Sequence, residues 1–161
     1  MNRRPAFRRQ GGYSFIELMM VTLGMAIIAT MAVPGLQRAR ESYRLTTARD
    51  EIISSLEYAR SEAVKRDSVA TVVFNNSGAY TVQYPDVGTT VTFTYNLPSG
   101  VSFAMPAGAT SLTIRYASSG KATLTASNGI AASSIGLTNT AGQRNIAVSL
   151  AGNITSNSSG S

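Results

Sequence analysis

Residues 11–34 read Gly-Gly-Tyr-Ser-Phe-Ile-Glu-Leu-Met-Met-Val-Thr-Leu-Gly-Met-Ala-Ile-Ile-Ala-Thr-Met-Ala-Val-Pro, and this stretch limits the chain more than any other. It holds an apolar run of about twenty residues, long enough at ~1.5 Å per helical residue to cross a bilayer core of roughly 30 Å. Its one charge is Glu17, and a carboxylate near the centre of a bilayer costs on the order of 3 kcal/mol, so the position calls for a functional reason. Arg3, Arg4, Arg8 and Arg9 precede the run with no acidic residue among them. The positive-inside rule then sets the amino terminus on the cytoplasmic side and everything after Pro34 on the other. A secretory signal peptide shares the basic and apolar regions, and Thr30-Met31-Ala32 offers it a weak cleavage site, but Glu17 argues against it. A plain anchor needs neither Gly11-Gly12 nor Glu17. A soluble core helix would carry a polar stripe, whereas only Thr22, Gly24 and Thr30 interrupt residues 18–33.

Composition narrows the chemistry. The chain has 161 residues, about one domain by length, with the apolar run taken out of that. It contains no cysteine, so an exported domain has no disulfide, and no histidine, the commonest general base and transition-metal ligand. An enzyme is not expected, nor a catalytic residue, a metal site or a cofactor. The formal charge of +6 includes the four arginines ahead of the apolar run, out of fourteen basic residues against eight acidic. Topology already accounts for those four.

Gly12, Tyr13, Glu17 and Pro34 together resemble the amino terminus of type IV prepilins and pseudopilins. These have a short basic leader ending in Gly, a first mature residue that is usually Phe, and Glu at the fifth mature position of an apolar helix. The resemblance implies cleavage between Gly12 and Tyr13, methylation of the new amino group of Tyr13, and assembly through Glu17, with Pro34 at a place where many pilins carry proline. Tyr13 departs from the usual Phe; its hydroxyl favours the membrane interface.

Taken in order, residues 1–12 are the leader, 13–34 the transmembrane and assembly segment, and 35–67 the amphipathic half of one long helix ending near Arg66. Pro34 lacks an amide donor, so a kink or local melting is expected over 29–35. Leu36, Ala39, Tyr43, Leu45, Ala48, Ile52, Leu56, Ala59 and Ala63 recur at helical spacing as a stripe to pack on a sheet. The opposite face carries mixed charges, read either as a solvated surface with weak pairs such as Glu57 with Arg60 or as a contact with neighbouring subunits.

After Arg66 charges thin out and Val, Thr, Ser, Gly and Tyr dominate. Strands are expected over 69–74, 79–84, 90–95, 101–104, 112–116, 122–126, 134–137 and 145–150, separated by turn signals such as Ser118-Ser119-Gly120 and Ala151-Gly152-Asn153. The fold class is therefore α+β, a long amino-terminal helix packed on an antiparallel sheet or sandwich head, 68–155, with a disordered tail over 156–161, and the resemblance implies that this fold is type IV pilin-like.

Three patches narrow the resemblance to the GspH/FimT pseudopilins: Leu56-Glu57-Tyr58-Ala59-Arg60-Ser61-Glu62-Ala63-Val64-Lys65-Arg66, then Tyr116-Ala117-Ser118-Ser119-Gly120-Lys121-Ala122, and the run from Gly142 to Ile154. What this implies is a structural subunit processed by a prepilin peptidase, held in the inner membrane lipid by a single pass with its head in the periplasm. It would join other pseudopilins or pilins in a helical filament, in contact with an inner-membrane assembly platform. The role implied is the tip of a type II secretion pseudopilus; the alternative is a minor pilin that primes a type IV pilus. Some members of this branch bind DNA through basic residues beside the last hairpin. Here Asn153, Ile154 and Thr155 follow Gly152, and only Arg115, Lys121 and Arg144 remain for a weak contact, which argues against a nucleic-acid partner. Tyr80, Tyr84, Tyr95 and Tyr116 could line a groove, but their alternating strand positions read as sheet packing.

Overall fold

The computed structural model describes residues 12–159, apart from the side chains of Met31, Ala32, Ser158 and Ser159. Helix α1 runs Phe15–Lys65, and the chain divides into two compact units, Met1–Gln37 and Arg38–Ser161.

In the first unit Ser14 starts the helix: its carbonyl accepts from the amides of Glu17 at 3.0 Å and Leu18 at 3.2 Å. Ser14-Phe15-Ile16-Glu17 has the spacing of a capping box, and Glu17 lies in the first turn, where free amides and the helix dipole favour a carboxylate. The hydroxyls in the apolar run turn back on their own helix. Thr22 Oγ1 lies 2.9 Å from the Met19 carbonyl and Thr30 Oγ1 2.7 Å from that of Ile27, so neither presents an unpaired donor to its surroundings. The helix does not melt at Pro34, which lies inside it. Proline removes one amide donor, and the remaining ladder of the long helix continues on both sides.

In the second unit Leu45, Ala48, Ile52, Leu56, Ala59 and Ala63 form a fully buried stripe, the small alanines letting the strands approach. The stripe is shorter than expected. Tyr43 is 74 % exposed, and Leu36, in the first unit, is also exposed. At ~100° per residue, Tyr43 lies about 200° round the helix from Leu45 and cannot share its face. The helix ends in a Schellman motif: the Ser68 amide donates to the Ala63 carbonyl at 3.0 Å and that of Asp67 to Val64 at 3.3 Å, with Asp67 left-handed at φ 48°.

Nine strands follow: β1 Ala70–Asn75, β2 Ala79–Asp86, β3 Thr89–Asn96, β4 Ser102–Ala104, β5 Ser111–Tyr116, β6 Ala122–Ala126, β7 Ser134–Asn139, β8 Gly142–Val148 and β9 Ile154–Ser159. All pair antiparallel, in one sheet ordered β3-β2-β1-β5-β6 and a second ordered β4-β7-β8-β9. The α1 stripe, the inner residues of the first sheet, and Phe103, Ile135, Leu137, Ile146 and Val148 of the second form one core. Tyr80, Tyr84 and Tyr116 are buried there and Tyr95 partly so, as sheet packing requires. Phe74 joins the sheets, stacking on Tyr80 at 5.5 Å between centroids and meeting Phe103 edge-on at 5.2 Å.

The expected disordered tail is corrected by β9. Asn145 pairs with Asn157 and Ile146 with Ser156, so the backbone of Ser156–Ser159 continues the sheet although its side chains have no strand pattern. Gly160 and Ser161 lie outside the described residues. Strand β8 starts at Gly142 and stops at Val148, leaving Leu150 exposed in the β8–β9 turn.

Candidate processing and assembly site

The expected leader junction, between Gly12 and Tyr13, lies ahead of the first helical turn. Gly12, Tyr13 and Ser14 precede α1, no heavy atom of the described residues beyond its chain neighbours lies within 4 Å of where a Gly12 Cβ would stand, and Tyr13 is 85 % exposed. The Gly12–Tyr13 peptide therefore lies outside the helical ladder, with Tyr13 exposed. Arg3, Arg4, Arg8 and Arg9 of the expected leader lie outside the described residues. Beyond the junction every described side chain from Tyr13 through Gln37 is exposed, including Phe15, Ile16, Leu18, Leu23, Ile28 and Val33. An apolar helix with no cover of its own needs lipid or other helices around it, and this one is long and apolar enough to cross a membrane. Glu17 and Pro34 both lie in this uncovered half.

Polar contacts at both ends of the head lock it to its part of α1. At one end Asn139 Nδ2 donates to the Glu41 carbonyl at 2.7 Å, and Arg44 donates to the Ser99 carbonyl at 3.4 Å. At the other, Arg66 donates to Glu62 at 2.6 Å and to Asp86, while its guanidinium lies 4.9 Å from the centre of the Tyr84 ring. The Val87 amide, at 2.8 Å, together with Arg66 holds the Asp86 carboxyl below its usual range. Glu62 is buried and carries the Arg66 contact, so it belongs to this clamp and not to a solvated face. Tyr58 and Tyr84 share a hydrogen bond of 2.9 Å beside it, which raises the Tyr84 phenol.

Arg60 completes the lock. Its side chain lies against Gly120 and Gly152, and it donates to the Ala151 carbonyl at 3.3 Å, not to Glu57. Both glycines have positive φ, and a Cβ on Gly152 would stand 2.1 Å from the Gly120 carbonyl oxygen. The Ala122 amide donates to the Leu150 carbonyl at 3.1 Å, tying the β5–β6 turn to the β8–β9 turn. Both turns were legible as Gly signals; their contact through Arg60 was not.

The three residues considered for DNA fall apart in the topology. Arg115 stands on the exposed face of β5, in register with Thr71 and Thr123, and Lys121 is exposed in the next turn. Arg144 is half-buried on β8 of the other sheet and donates to the Gln143 carbonyl at 3.4 Å.

The family model described as "Type II transport protein GspH" matches residues 48–152, from Ala48 of the buried stripe to Gly152 of the β8–β9 turn. The chain belongs to the GspH family. Membership supports a pseudopilin role in type II secretion and association with other pseudopilins. The match covers the buried stripe of α1 from Ala48 onward and the strands through β8, so the GspH assignment rests on the head and its docking stripe, independently of residues 1–12 and the apolar run. No curated protein and no solved structure matches the chain.

Proposed function

We propose that this GspH-family chain is a structural, non-catalytic minor pseudopilin of the tip. A prepilin peptidase cuts after Gly12 and the new amino group of Tyr13 is methylated. The helix crosses the inner membrane once, amino terminus in the cytoplasm and head in the periplasm, until the assembly platform adds the subunit to a filament. The observation that carries the reading is the pairing of a GspH head with an accessible Gly12–Tyr13 junction ahead of an uncovered apolar helix.

Cleavage leaves an ammonium on Tyr13, and Glu17 follows four residues later, in the first turn of α1. In a staggered bundle the carboxylate meets the amino terminus of a neighbouring subunit, and two charges that are costly in lipid neutralise one another. That pairing gives assembly a register. The head contributes fixed surfaces, and DNA binding has no continuous basic patch to act through.

The test is a deletion strain complemented with the wild-type chain or with Glu17→Val, quantifying proteins released to the medium and pilins sheared from the surface. The expected result is a loss of released proteins with sheared pilins unchanged, and no rescue by Glu17→Val although it still inserts in the membrane. A loss of sheared pilins with secretion intact would assign the chain to a type IV pilus, and full rescue by Glu17→Val would remove the carboxylate from assembly.

A further inference from the structure

The first charges after the apolar run are arranged differently from those farther along the helical segment. Arg66 and Arg60 are spent on the clamp, and Arg49 is paired with its neighbour Asp50 at 2.6 Å. Arg38 and Arg40 have no ion pair and no hydrogen bond to any other described residue. The one acidic residue nearby, Glu41, is already engaged: Arg44 contacts it at 3.1 Å and Asn139 Nδ2 at 3.4 Å. Between them stands Tyr43, 74 % exposed, on a shallow surface with Ala39, Arg40 and Arg44.

At ~100° per residue, Arg40, Tyr43 and Arg44 cluster within about 100° of one another on the helix while Arg38 lies well away from all three. Positive charge thus stands on opposite sides of the helix instead of forming a one-sided patch, which suits a medium that surrounds it and not a partner seated on one face. The chain places that medium nearby. Arg38 is four residues past Pro34, a separation of at most ~14 Å in any backbone conformation. From Arg38 to Arg44 the helical rise is about 9 Å, comparable to a headgroup layer of roughly 5–8 Å. Arginine carries its charge to phosphate while its stem lies on apolar surface, and tyrosine favours the same interface.

We propose that Arg38, Arg40, Tyr43 and Arg44 form a collar that binds the phosphates of anionic phospholipid headgroups on the head side of the membrane. The inference rests on the membrane-anchor part of the proposed function and adds a ligand class to it. Before processing, the four leader arginines outnumber the collar and set topology. After cleavage Arg38 and Arg40 stand among the described residues as the unpaired cations of the collar close to the span, so they retain the subunit at the headgroup layer until filament contacts replace lipid.

The test uses the mature full-length chain in mixed micelles holding phosphatidylglycerol and phosphatidylcholine in equal amounts, with the lipids retained on the purified protein counted by native mass spectrometry. Wild type is expected to retain the anionic lipid in roughly threefold or greater excess. The excess should fall sharply at about 0.5 M NaCl, where screening reaches within a few ångströms. Arg38→Gln/Arg40→Gln should bring the ratio close to that of the micelle with its melting transition unchanged, since neither side chain holds the fold. Arg115→Gln/Lys121→Gln, which removes equal charge elsewhere, should keep the excess, and free glycerol phosphate should not displace the lipid. A wild-type ratio equal to that of the micelle overturns the collar, as does an equal fall in both double variants or displacement by glycerol phosphate. Release of the chain from native membranes by alkaline carbonate would instead overturn the anchor reading, and the collar with it.

Discussion

The two halves of α1 solve opposite problems. Phe15 to Gln37 is almost wholly apolar and every described side chain in it is exposed; from Leu45 onward the helix is mixed in character and its apolar stripe is fully buried. Burial in this chain therefore follows pattern and not hydrophobicity. A spacing of three and four between Leu45 and Ala63 presents one face for the sheets to cover, whereas a helix apolar on all sides cannot be satisfied by a head that covers one face. The first half depends on surroundings that the folded head does not supply.

Substitutions can break that comparison. The largest effect is expected from Ile52→Ala in the buried half, which should destabilise the full chain in detergent by about 2–4 kcal/mol through lost burial and a residual cavity. Leu23→Ala in the exposed half should leave the melting transition of the head where it is. Equal effects would mean that the first half is part of the cooperative fold. Gly152→Ala should cost about 2–4 kcal/mol, because its Cβ would overlap the Gly120 carbonyl and the left-handed backbone disfavours a side chain. Wild-type stability in that variant would show that the Arg60 lock adapts freely.

A finer pair of variants compares two buried phenols. Tyr80 shares a hydrogen bond of 3.0 Å with Ser55, whereas the Tyr116 hydroxyl is buried with no partner among the described residues. Tyr80→Phe should cost about 1 kcal/mol, and Tyr116→Phe should be neutral or stabilising by a similar amount. Burial pushes both phenols up to about 12 from 10.0. The folded state therefore favours the neutral forms, and this contribution to stability is complete below pH 10 and lost as the pH rises from there to about 12. Denaturation followed against pH should show a shallower alkaline loss in Tyr116→Phe. At the other end of the scale Asp86, held below its ordinary range, contributes stability that is present at neutral pH and lost as acid protonates it. Asp86→Asn should remove that part of the acid dependence.

The sequence carried the architecture well because its signals were periodic. Strands β1 to β8 alternate, or stand between Gly and Asn turns, and each lies close to its expected place. Strand β9 was illegible because Ile154-Thr155-Ser156-Asn157-Ser158-Ser159 has almost no apolar alternation; its place comes from backbone pairing with β8. The stripe was read too far towards the amino terminus because Tyr43 and Leu45 are both apolar at a spacing of two, which no helix face accommodates. At the candidate site, Gly12, Tyr13 and Glu17 were legible as a motif. Arg60, Glu62 and Arg66 were read as part of a charged helix face, solvated or in contact with neighbouring subunits, and not as a clamp, since their partners lie far along the chain or at one corner of the fold. Asp67 gave no signal at all, being one of few residues other than glycine that tolerate the left-handed end of a helix.

The central claim is that a processed Tyr13 stands just ahead of the uncovered half of α1, and that this half functions in a membrane or filament. Intact-mass analysis of the chain isolated from membranes of cells expressing it tests this most directly. The account predicts a species lacking residues 1–12 and carrying one added methyl group, with Tyr13 as its amino terminus; a membrane-bound chain with its leader intact would contradict it.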